Sequence, residues 1–286
     1  WDDNTLFITS KCNSNCVMCP SSEYSRRAGV IPEESEIMEL LRHFSPCAKH
    51  ITITGGEPFL FRQSMFRVLE YCKERFCSTE FLILTNGRVF CIDDYADMLS
   101  HAISPNTILA IPLHGSNAAL HDSITQAQGS FSQTVSGITR LLHLQVPVEI
   151  RVVVSKYNSY DLLDLAKLIA ETMPTAYRVH FIGLEMLGNA AANSKNVWIP
   201  YSEAFAAIKP AANMLISAGI NVGIYNFPLC AVEPDYWPLC KKSISEYKRK
   251  FPAACQNCSC IHICGGVFSG SLRFAETNLH PINSVN

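Results

Sequence analysis

Short apolar runs alternate with amphipathic stretches along most of the chain, and this alternation limits the folds that the sequence can adopt. The strand-like runs lie at 4–10, 50–58, 80–87, 107–115, 148–158 and 177–185. Stretches with helical periodicity separate them at 33–44, 64–76, 91–103, 131–145 and 162–173. Buried strands joined by single helices favour a parallel sheet with right-handed crossovers. The sequence therefore predicts an α/β fold, a partial (β/α)6 TIM-like barrel, with a flat doubly wound sheet as the alternative.

The pattern changes in the last third of the chain. A helical stretch at 201–219 contains Pro210, where we expect a kink or break, and the run at 220–226 has the composition of a strand. The tail that follows is rich in loops and cysteines. We therefore predict a barrel core at 1–195 and a small, loop-rich C-terminal domain at 196–286.

Composition narrows the class of protein. The chain has 286 residues, is 48% hydrophobic and 17% charged, and carries a formal net charge of −2. No basic excess suggests a nucleic-acid partner, and no apolar run is long enough to cross a membrane. The first ten residues lack the basic start and apolar core of a signal peptide. We expect a cytoplasmic protein.

Thirteen cysteines are distributed in two groups and four scattered positions, which favours metal sites in a reducing compartment over disulfides. Cys12, Cys16 and Cys19 form a C-x3-C-x2-C triplet directly after the first predicted strand. Three thiolates can hold three irons of a cubane cluster and leave the fourth iron open to a small molecule. Structural zinc is the alternative, and its fourth ligand would be His43 or Cys47.

The triplet is followed by "TGGEP" after the second predicted strand and by "TNG" after the third. This order resembles the radical S-adenosylmethionine (SAM) superfamily. The resemblance implies that a [4Fe–4S] cluster on the triplet binds SAM through its methionine amine and carboxylate. Reductive cleavage of SAM would then give a 5′-deoxyadenosyl radical that abstracts hydrogen from a substrate.

The resemblance also implies a set of SAM-binding residues. The residues implied to contact the amine, ribose, methionine or adenine group of SAM are Gly55, Gly56, Glu57, Pro58, Asn86, His114, Ser116 and Leu184. Pro112 stands where many relatives carry Ser, which departs from the pattern at the ribose contact. Arg151 and Lys156 are candidates for the methionine carboxylate; for each, a solvated or structurally paired charge is the alternative.

The second cysteine group includes "CQNCSCIHICGG" at 255–266. It resembles the auxiliary-cluster domain called twitch or SPASM-like, which implies a C-terminal iron–sulfur domain with a second [4Fe–4S] cluster. The expected ligands are Cys230, Cys255, Cys258 and Cys264. Cys240 and Cys260 either replace one of those ligands or act as catalytic donors of a proton or hydrogen atom. Zinc is the alternative here too.

Three further segments, "GLEMLGNAAANSKNVWI", "IYNFPLC" and "CGGVFSGS", are similar to the HxsC-type maturases of the His-Xaa-Ser peptide system. That similarity implies a ribosomally made precursor peptide, altered by cross-linking or a related step. It also implies a one-electron reductant such as a flavodoxin or ferredoxin, and allows a partner maturase. The alternatives are a radical SAM activase, a sulfatase-type maturase, or a zinc-binding structural or interaction protein.

Overall fold

A computed structural model describes residues 3–275 and 279–283. Its main feature is a sheet of eight parallel strands that neighbour one another in chain order. The strands are β1 (Asp3–Phe7), β2 (His50–Thr54), β3 (Glu80–Leu84), β4 (Thr107–Pro112), β5 (Val148–Val153), β6 (Arg178–Ile182), β7 (Val222–Tyr225) and β8 (Cys240–Lys241). The prediction of an α/β fold with a parallel sheet is confirmed.

Helices connect the strands, and short 3₁₀ turns lie between several of them. The helices are α1 (Glu23–Arg27), α2 (Glu34–Arg42), α3 (Gln63–Arg75), α4 (Asp93–Ala102), α5 (Ala118–Thr125), α6 (Ser130–His143), α7 (Leu162–Thr172), α8 (Gly188–Ala192), α9 (Ser194–Val197), α10 (Tyr201–Ser217) and α11 (Leu272–Ala275). The 3₁₀ turns are Pro58–Phe61, Arg88–Cys91, Leu229–Ala231, Pro234–Leu239, Ala253–Asn257 and Ser269–Ser271. None of the helices in the described residues is both long and apolar enough to cross a membrane.

One hydrophobic core distinguishes a partial barrel from the flat alternative. Alternate strand residues, such as Ile51 and Ile53 on β2 and Val179 and Phe181 on β6, are buried in this core. The buried faces of α2, α3, α4, α6, α7 and α10 contribute to the same core. A doubly wound sheet would carry helices on both faces and reverse its strand order. The sequential strand order, which has no reversal, matches the predicted partial TIM-like barrel.

The sheet continues for two strands beyond the six that the sequence predicted. β7 pairs with β6 in parallel, and the two-residue β8 pairs with β7. The long helix α10 runs through Pro210 without a break and packs against α7. A separate two-stranded antiparallel ribbon, β9 (Arg249–Lys250) with β10 (Val267–Phe268), follows. The division into domains at 195 and 196 stays a prediction.

The loops that follow the parallel strands meet at one edge of the sheet, as in all barrels of this kind. After β1 comes the cysteine triplet, and after β2 the Gly-Gly turn. The loops after β3, β4, β5 and β6 carry the other residues that the sequence singled out: 85–87, 113–117, 154–160 and 183–189. The architecture therefore places the predicted cofactor-binding segments side by side.

Candidate active site at the carboxyl edge of the sheet

The cysteine loop, defined here as residues 8–22, connects β1 to α1 and carries Cys12, Cys16 and Cys19. All thirteen cysteines of the chain are free thiols, and these three are half-buried. Burial and the neighbouring thiols of Cys19 and Cys12 together raise the pKa of Cys16 to about 12. Burial also raises the pKa of Cys12. A bound cation would favour the thiolate forms of Cys12 and Cys16.

Helix α5 holds the cysteine loop from one side. The backbone N–H of Asn15 donates to the carbonyl of Thr125 at 2.9 Å, and that of Val17 donates to Ile124 at 2.9 Å. Asn117 caps this helix by accepting from the N–H of Leu120 through its side chain. The loop between the first and second cysteines is therefore fixed by a helix from a distant part of the chain.

The segment at the start of α8 holds the loop from the other side. The Asn189 side-chain amide donates to the carbonyl of Cys16 at 3.1 Å, and the N–H of Ala190 donates to the carbonyl of Cys19 at 3.2 Å. Gly188 has φ +50°, and a Cβ there would lie 2.4 Å from the Pro20 carbonyl oxygen. The sequence indicated Leu184, four residues before Gly188, as a SAM contact, but gave no sign that this segment supports the cysteine loop.

The Gly-Gly turn after β2 lies directly against the cysteine loop. The N–H of Gly56 donates to the Thr9 carbonyl at 2.6 Å, and the N–H of Glu57 donates to the Lys11 carbonyl at 2.9 Å. A Cβ at Gly55 would lie 2.4 Å from the Thr9 oxygen. The two glycines are therefore required by the close approach of two backbones, a constraint that is separate from SAM binding.

Glu57 ties the ends of β2 and β3 together. Its buried carboxylate accepts hydrogen bonds from the hydroxyl of Thr85 at 2.8 Å and from the N–H groups of Phe59 at 3.0 Å and Asn86 at 2.7 Å. Burial raises the pKa of Glu57, and these hydrogen bonds oppose that effect. Pro58, also buried, begins the 3₁₀ turn that follows.

Asn86 and Arg88 extend this network to the cysteine loop. The Asn86 side-chain amide donates to the Asn13 side chain at 2.6 Å, and Arg88 Nη1 donates to the Asn13 carbonyl at 2.8 Å and to Ser14 Oγ at 3.2 Å. Both residues border a cavity of about 240 Å³ that Glu57 also lines. The sequence indicated Asn86 but not Arg88, which lies one residue beyond "TNG".

His114 and Ser116, in the loop after β4, are engaged within the protein. The Ser116 hydroxyl and N–H donate to the Asp161 carboxylate at 2.6 and 2.7 Å. The backbone N–H of His114 donates to His121 Nδ1 at 3.1 Å. Burial lowers the pKa of His114 to about 3, so its ring is neutral near pH 7. A SAM contact by either residue stays a prediction.

Arg151 belongs to a charged cluster on the sheet face opposite the helices. Arg151 Nε donates to the fully buried Glu149 carboxylate at 2.6 Å, Arg178 Nε donates to its other oxygen at 2.7 Å, and His180 Nδ1 lies 3.1 Å away. Burial alone would raise the pKa of Glu149, but the adjacent His180 ring and the two guanidinium charges lower it to about 2. Arg151 is thus a structurally paired charge, which is the alternative to a contact with the methionine carboxylate.

Lys156 and Leu184 occupy different surroundings. Lys156 is exposed and lines an open groove of about 630 Å³ with Tyr157, Tyr160 and Lys195. Leu184 is buried in an apolar cluster that includes Met18 of the cysteine loop and parts of α5 and α8. Leu184 therefore packs directly behind the triplet, whereas Lys156 faces solvent.

The C-terminal cysteines also come together. Cys230, Cys255, Cys258, Cys260 and Cys264 line one small cavity of about 20 Å³. Burial, together with the neighbouring Cys230, Cys264 and Cys258, raises the pKa of Cys255 to about 11. Cys264 Sγ accepts from the N–H groups of Leu229 and Gly266, each at 3.4 Å, and Cys258 Sγ accepts from that of Ile282 at 3.4 Å. Backbone N–H groups of this kind stabilise thiolates that hold iron.

Cys240 lies outside the lining of that cavity. Burial and the nearby Cys264 together raise its pKa to about 12, and its thiol is 3.8 Å from the Tyr236 carbonyl. Cys260 is fully buried. Within the described residues, no three His, Cys, Asp or Glu side chains are arranged to hold a single metal ion. A cubane binds each thiolate through a different iron, so it does not need thiols that converge on one point.

Aromatic rings join the two cysteine regions. Phe274 and Trp198 pack against the apolar cluster behind the cysteine loop, with their ring centroids 5.4 Å apart. Trp198 contacts Tyr201 at 5.5 Å, and Tyr201 contacts Phe227 at 5.2 Å. Phe227 immediately precedes Pro228, which lines the C-terminal cavity. The regions are thus connected by packed side chains.

Comparison with known proteins decides the family. The family model described as "Radical SAM superfamily" matches residues 6–169, more than half of the chain. The chain belongs to the radical SAM superfamily. Membership implies a [4Fe–4S] cluster and SAM, and the three free thiols on one loop, with one sheet edge supporting them, fit such a cluster.

Individual relatives are more distant. The subtilosin biosynthesis protein AlbA and the sporulation killing factor maturation protein SkfB, both of Bacillus subtilis (strain 168), are 24% and 25% identical over 178 residues. These matches cover 62% and 61% of this chain but 39% and 41% of the relatives, so the chain spans about two-fifths of their length. The crystal structure of Streptococcus suis SuiB bound to precursor peptide SuiA has a TM-score of 0.63 at 13% identity, covering 78% of this chain and 48% of SuiB. That likeness shows the fold.

Proposed function

We propose that this protein is a radical SAM enzyme that modifies a ribosomally made precursor peptide. The observation that carries the enzymatic part is the cysteine loop, which bears three free thiols and whose backbone is hydrogen-bonded to the Gly-Gly turn, α5 and α8. When bound to a reduced [4Fe–4S] cluster, SAM supplies a 5′-deoxyadenosyl radical that abstracts a substrate hydrogen.

In this proposal the chain's own residues bind and position that cofactor. Cys12, Cys16 and Cys19 hold the cluster, and the turn at 55–58 offers backbone groups to the methionine amine. Asn86 borders the cavity next to that turn, where it is available to a bound ligand. Arg151 is already paired with Glu149, so in this proposal it binds the methionine carboxylate while keeping that ion pair.

We extend the proposal to a second [4Fe–4S] cluster on Cys230, Cys255, Cys258 and Cys264 in the C-terminal cavity. Its support is the mutual electrostatic effect of these thiols and the N–H donors aimed at two of them. Cys260 lines the same cavity and serves as the reserve ligand or hydrogen donor; Cys240 would act from its edge.

The substrate class rests on the relatives. AlbA and SkfB are named for peptide biosynthesis and maturation, and SuiB was solved with a precursor peptide. Together with the HxsC-like segments, these names favour a peptide cross-link or a related modification. Thirteen free thiols suit a reducing compartment such as the cytoplasm. The reaction also needs a one-electron reductant, for which a flavodoxin or ferredoxin is suitable.

The first test is SAM cleavage. Anaerobically reconstituted protein is given dithionite and SAM, and 5′-deoxyadenosine is measured by liquid chromatography. We expect product from the wild type and from Cys47→Ala, an exposed cysteine outside both groups, and none from Cys16→Ala. Bound zinc without iron, and no product, would refute the enzyme and favour a structural zinc protein.

The second test concerns the substrate. Candidate precursor peptides are incubated with the active enzyme, and their masses are followed over time. A cross-link removes two hydrogens, and tandem fragmentation then locates the new bond. Modification of a protein glycyl or sulfatase site instead, with no change in any precursor peptide, would favour the activase or the sulfatase-type maturase.

A further inference from the structure

Arg26, in the short helix α1 just after the cysteine loop, is buried in an unusual way. It is only 3% exposed. Its neighbour Arg27 has 79% of its side chain exposed and pairs with Glu23 on the same helix, which is the ordinary arrangement for a surface arginine. Two successive arginines thus lie in opposite surroundings, and among the described residues Arg27 has a carboxylate partner whereas Arg26 has none.

The contacts of Arg26 leave its charge without compensation. Nη1 donates to the Ser21 carbonyl at 3.0 Å, and Nη2 donates to the Asn15 side-chain oxygen. Both acceptors are neutral. Nε is buried and has no hydrogen-bond partner among the described residues, and within them no carboxylate forms an ion pair with this side chain. Arginine keeps its proton at all ordinary pH values, so it cannot become neutral on burial.

A buried cation without a counter-charge is costly, so a negative group is expected beside Arg26. Both of its acceptors belong to the cysteine loop: Asn15 immediately precedes Cys16, and Ser21 lies two residues after Cys19. A cubane held by three thiolates carries a net negative charge, and one-electron reduction adds another. The cluster therefore has the charge that this position lacks.

We infer that Arg26 is the buried counter-charge of the iron–sulfur cluster held by Cys12, Cys16 and Cys19, with Nε as its free donor. Because a nearby cation stabilises the more negative state, Arg26 makes the cluster easier to reduce. This inference rests on the proposed cluster of the cysteine loop, but on neither the peptide substrate nor the C-terminal cluster. It assigns a function to a side chain that no sequence motif indicated.

The test compares Arg26→Gln with Arg26→Lys, which keeps the charge, and with Arg27→Gln as the matched surface control. The midpoint potential of the cysteine-loop cluster is measured by a redox titration monitored by electron paramagnetic resonance, without SAM. The Cys258→Ser background removes a signal from the C-terminal cluster. We expect Arg26→Gln to lower the equilibrium constant for electron uptake by about tenfold or more, a shift of about 59 mV to more negative potential. Arg26→Lys should shift less, and Arg27→Gln should match the wild type.

A second measurement separates this role from simple packing. Urea denaturation is performed on cluster-free and reconstituted protein. We expect reconstitution to stabilise Arg26→Gln less than it stabilises the wild type, while the cluster-free proteins differ little. Equal losses in both forms, or failure of cluster-free Arg26→Gln to fold, would mean a packing role and overturn the inference, as would a potential equal to that of Arg27→Gln. If the wild type itself binds no iron, the proposed function fails first.

Discussion

The turn after β2 packs so closely on the cysteine loop that one added methyl group should separate them. An ideal Cβ at Gly56 would lie 2.2 Å from the carbonyl oxygen of Lys11 and 2.5 Å from that of Ser10. Both obstacles are backbone atoms, so no side-chain rotation can relieve the clash. Gly56→Ala must therefore shift the backbone and weaken the hydrogen bonds of Gly56 to Thr9 and of Glu57 to Lys11.

The expected cost follows from these contacts. Two hydrogen bonds contribute about 0.5–1.5 kcal/mol each, and an overpacked site adds about 1–3 kcal/mol. Gly56→Ala should thus lower the free energy of unfolding of the cluster-free protein by about 2–6 kcal/mol. Because the cysteine loop moves with the turn, iron bound after reconstitution should fall as well. Urea denaturation followed by circular dichroism, and an iron assay, measure the two effects.

Gly129→Ala is the matched control. No atom lies within 4 Å of an ideal Cβ at Gly129, but its φ of +77° strains any L residue. This variant should lose about 1–2 kcal/mol from backbone strain alone and keep its iron. If Gly56→Ala loses no more stability than Gly129→Ala and binds as much iron, the close approach of the two loops does not have the cost that we assign to it.

Three further predictions concern other supports of the site. Asn189→Ala should lower iron retention and cost about 1–3 kcal/mol, because the Cys16 carbonyl loses one of its two donors and the Glu23 N–H loses its acceptor. Chelator challenge of reconstituted protein measures this loss. The pKa of Glu149 is lowered from 4.5 to about 2, so its carboxylate should contribute about 3 kcal/mol to the free energy of unfolding at neutral pH. This contribution should be lost as the pH falls from about 4.5 to 2, and Glu149→Gln should lack it. Urea midpoints measured against pH would contradict this prediction if the two proteins showed the same pH dependence. Cys258→Ser should remove about half of the bound iron if each proposed site holds four irons, whereas Cys47→Ser should remove none.

The alternation of strands and helices could be predicted because the apolar residues of each element recur with the period of a strand or of a helix. The predicted helix at 162–173 is α7 (Leu162–Thr172), and its buried residues recur on one face. The strand expected at 220–226 is β7 (Val222–Tyr225), which the sequence analysis placed outside the barrel, whereas β8 has only two residues, too few for a period, and was missed. Pro210 was expected to kink or break the helix, but α10 runs through it without a break and packs on α7. Tertiary packing here outweighs local propensity.

The residues that carry the proposed chemistry could be predicted from the sequence, whereas the residues that support them could not. The cysteine triplet and "TGGEP" are short motifs whose residue types are informative by themselves. Asn189, Arg88 and Arg26 are ordinary residues in any local window, and two of them act over long distances in the chain. Asn189 contacts a residue 173 positions away, and Arg88 contacts one 75 positions away. Only the folded chain brings such pairs together.

The same supports imply that cofactor binding and folding of the whole chain are coupled. Asn189 can hold the cysteine loop only while the loop after β6 is in place. That loop depends in turn on Ser271, whose hydroxyl donates to the Leu184 carbonyl at 2.7 Å and accepts from the Met186 N–H at 3.1 Å. Ser271 lies seven residues beyond Cys264, in the segment that leaves the C-terminal cavity. Ser271 therefore links folding of the C-terminal segment to the loop after β6, and that loop in turn supports the cysteine loop.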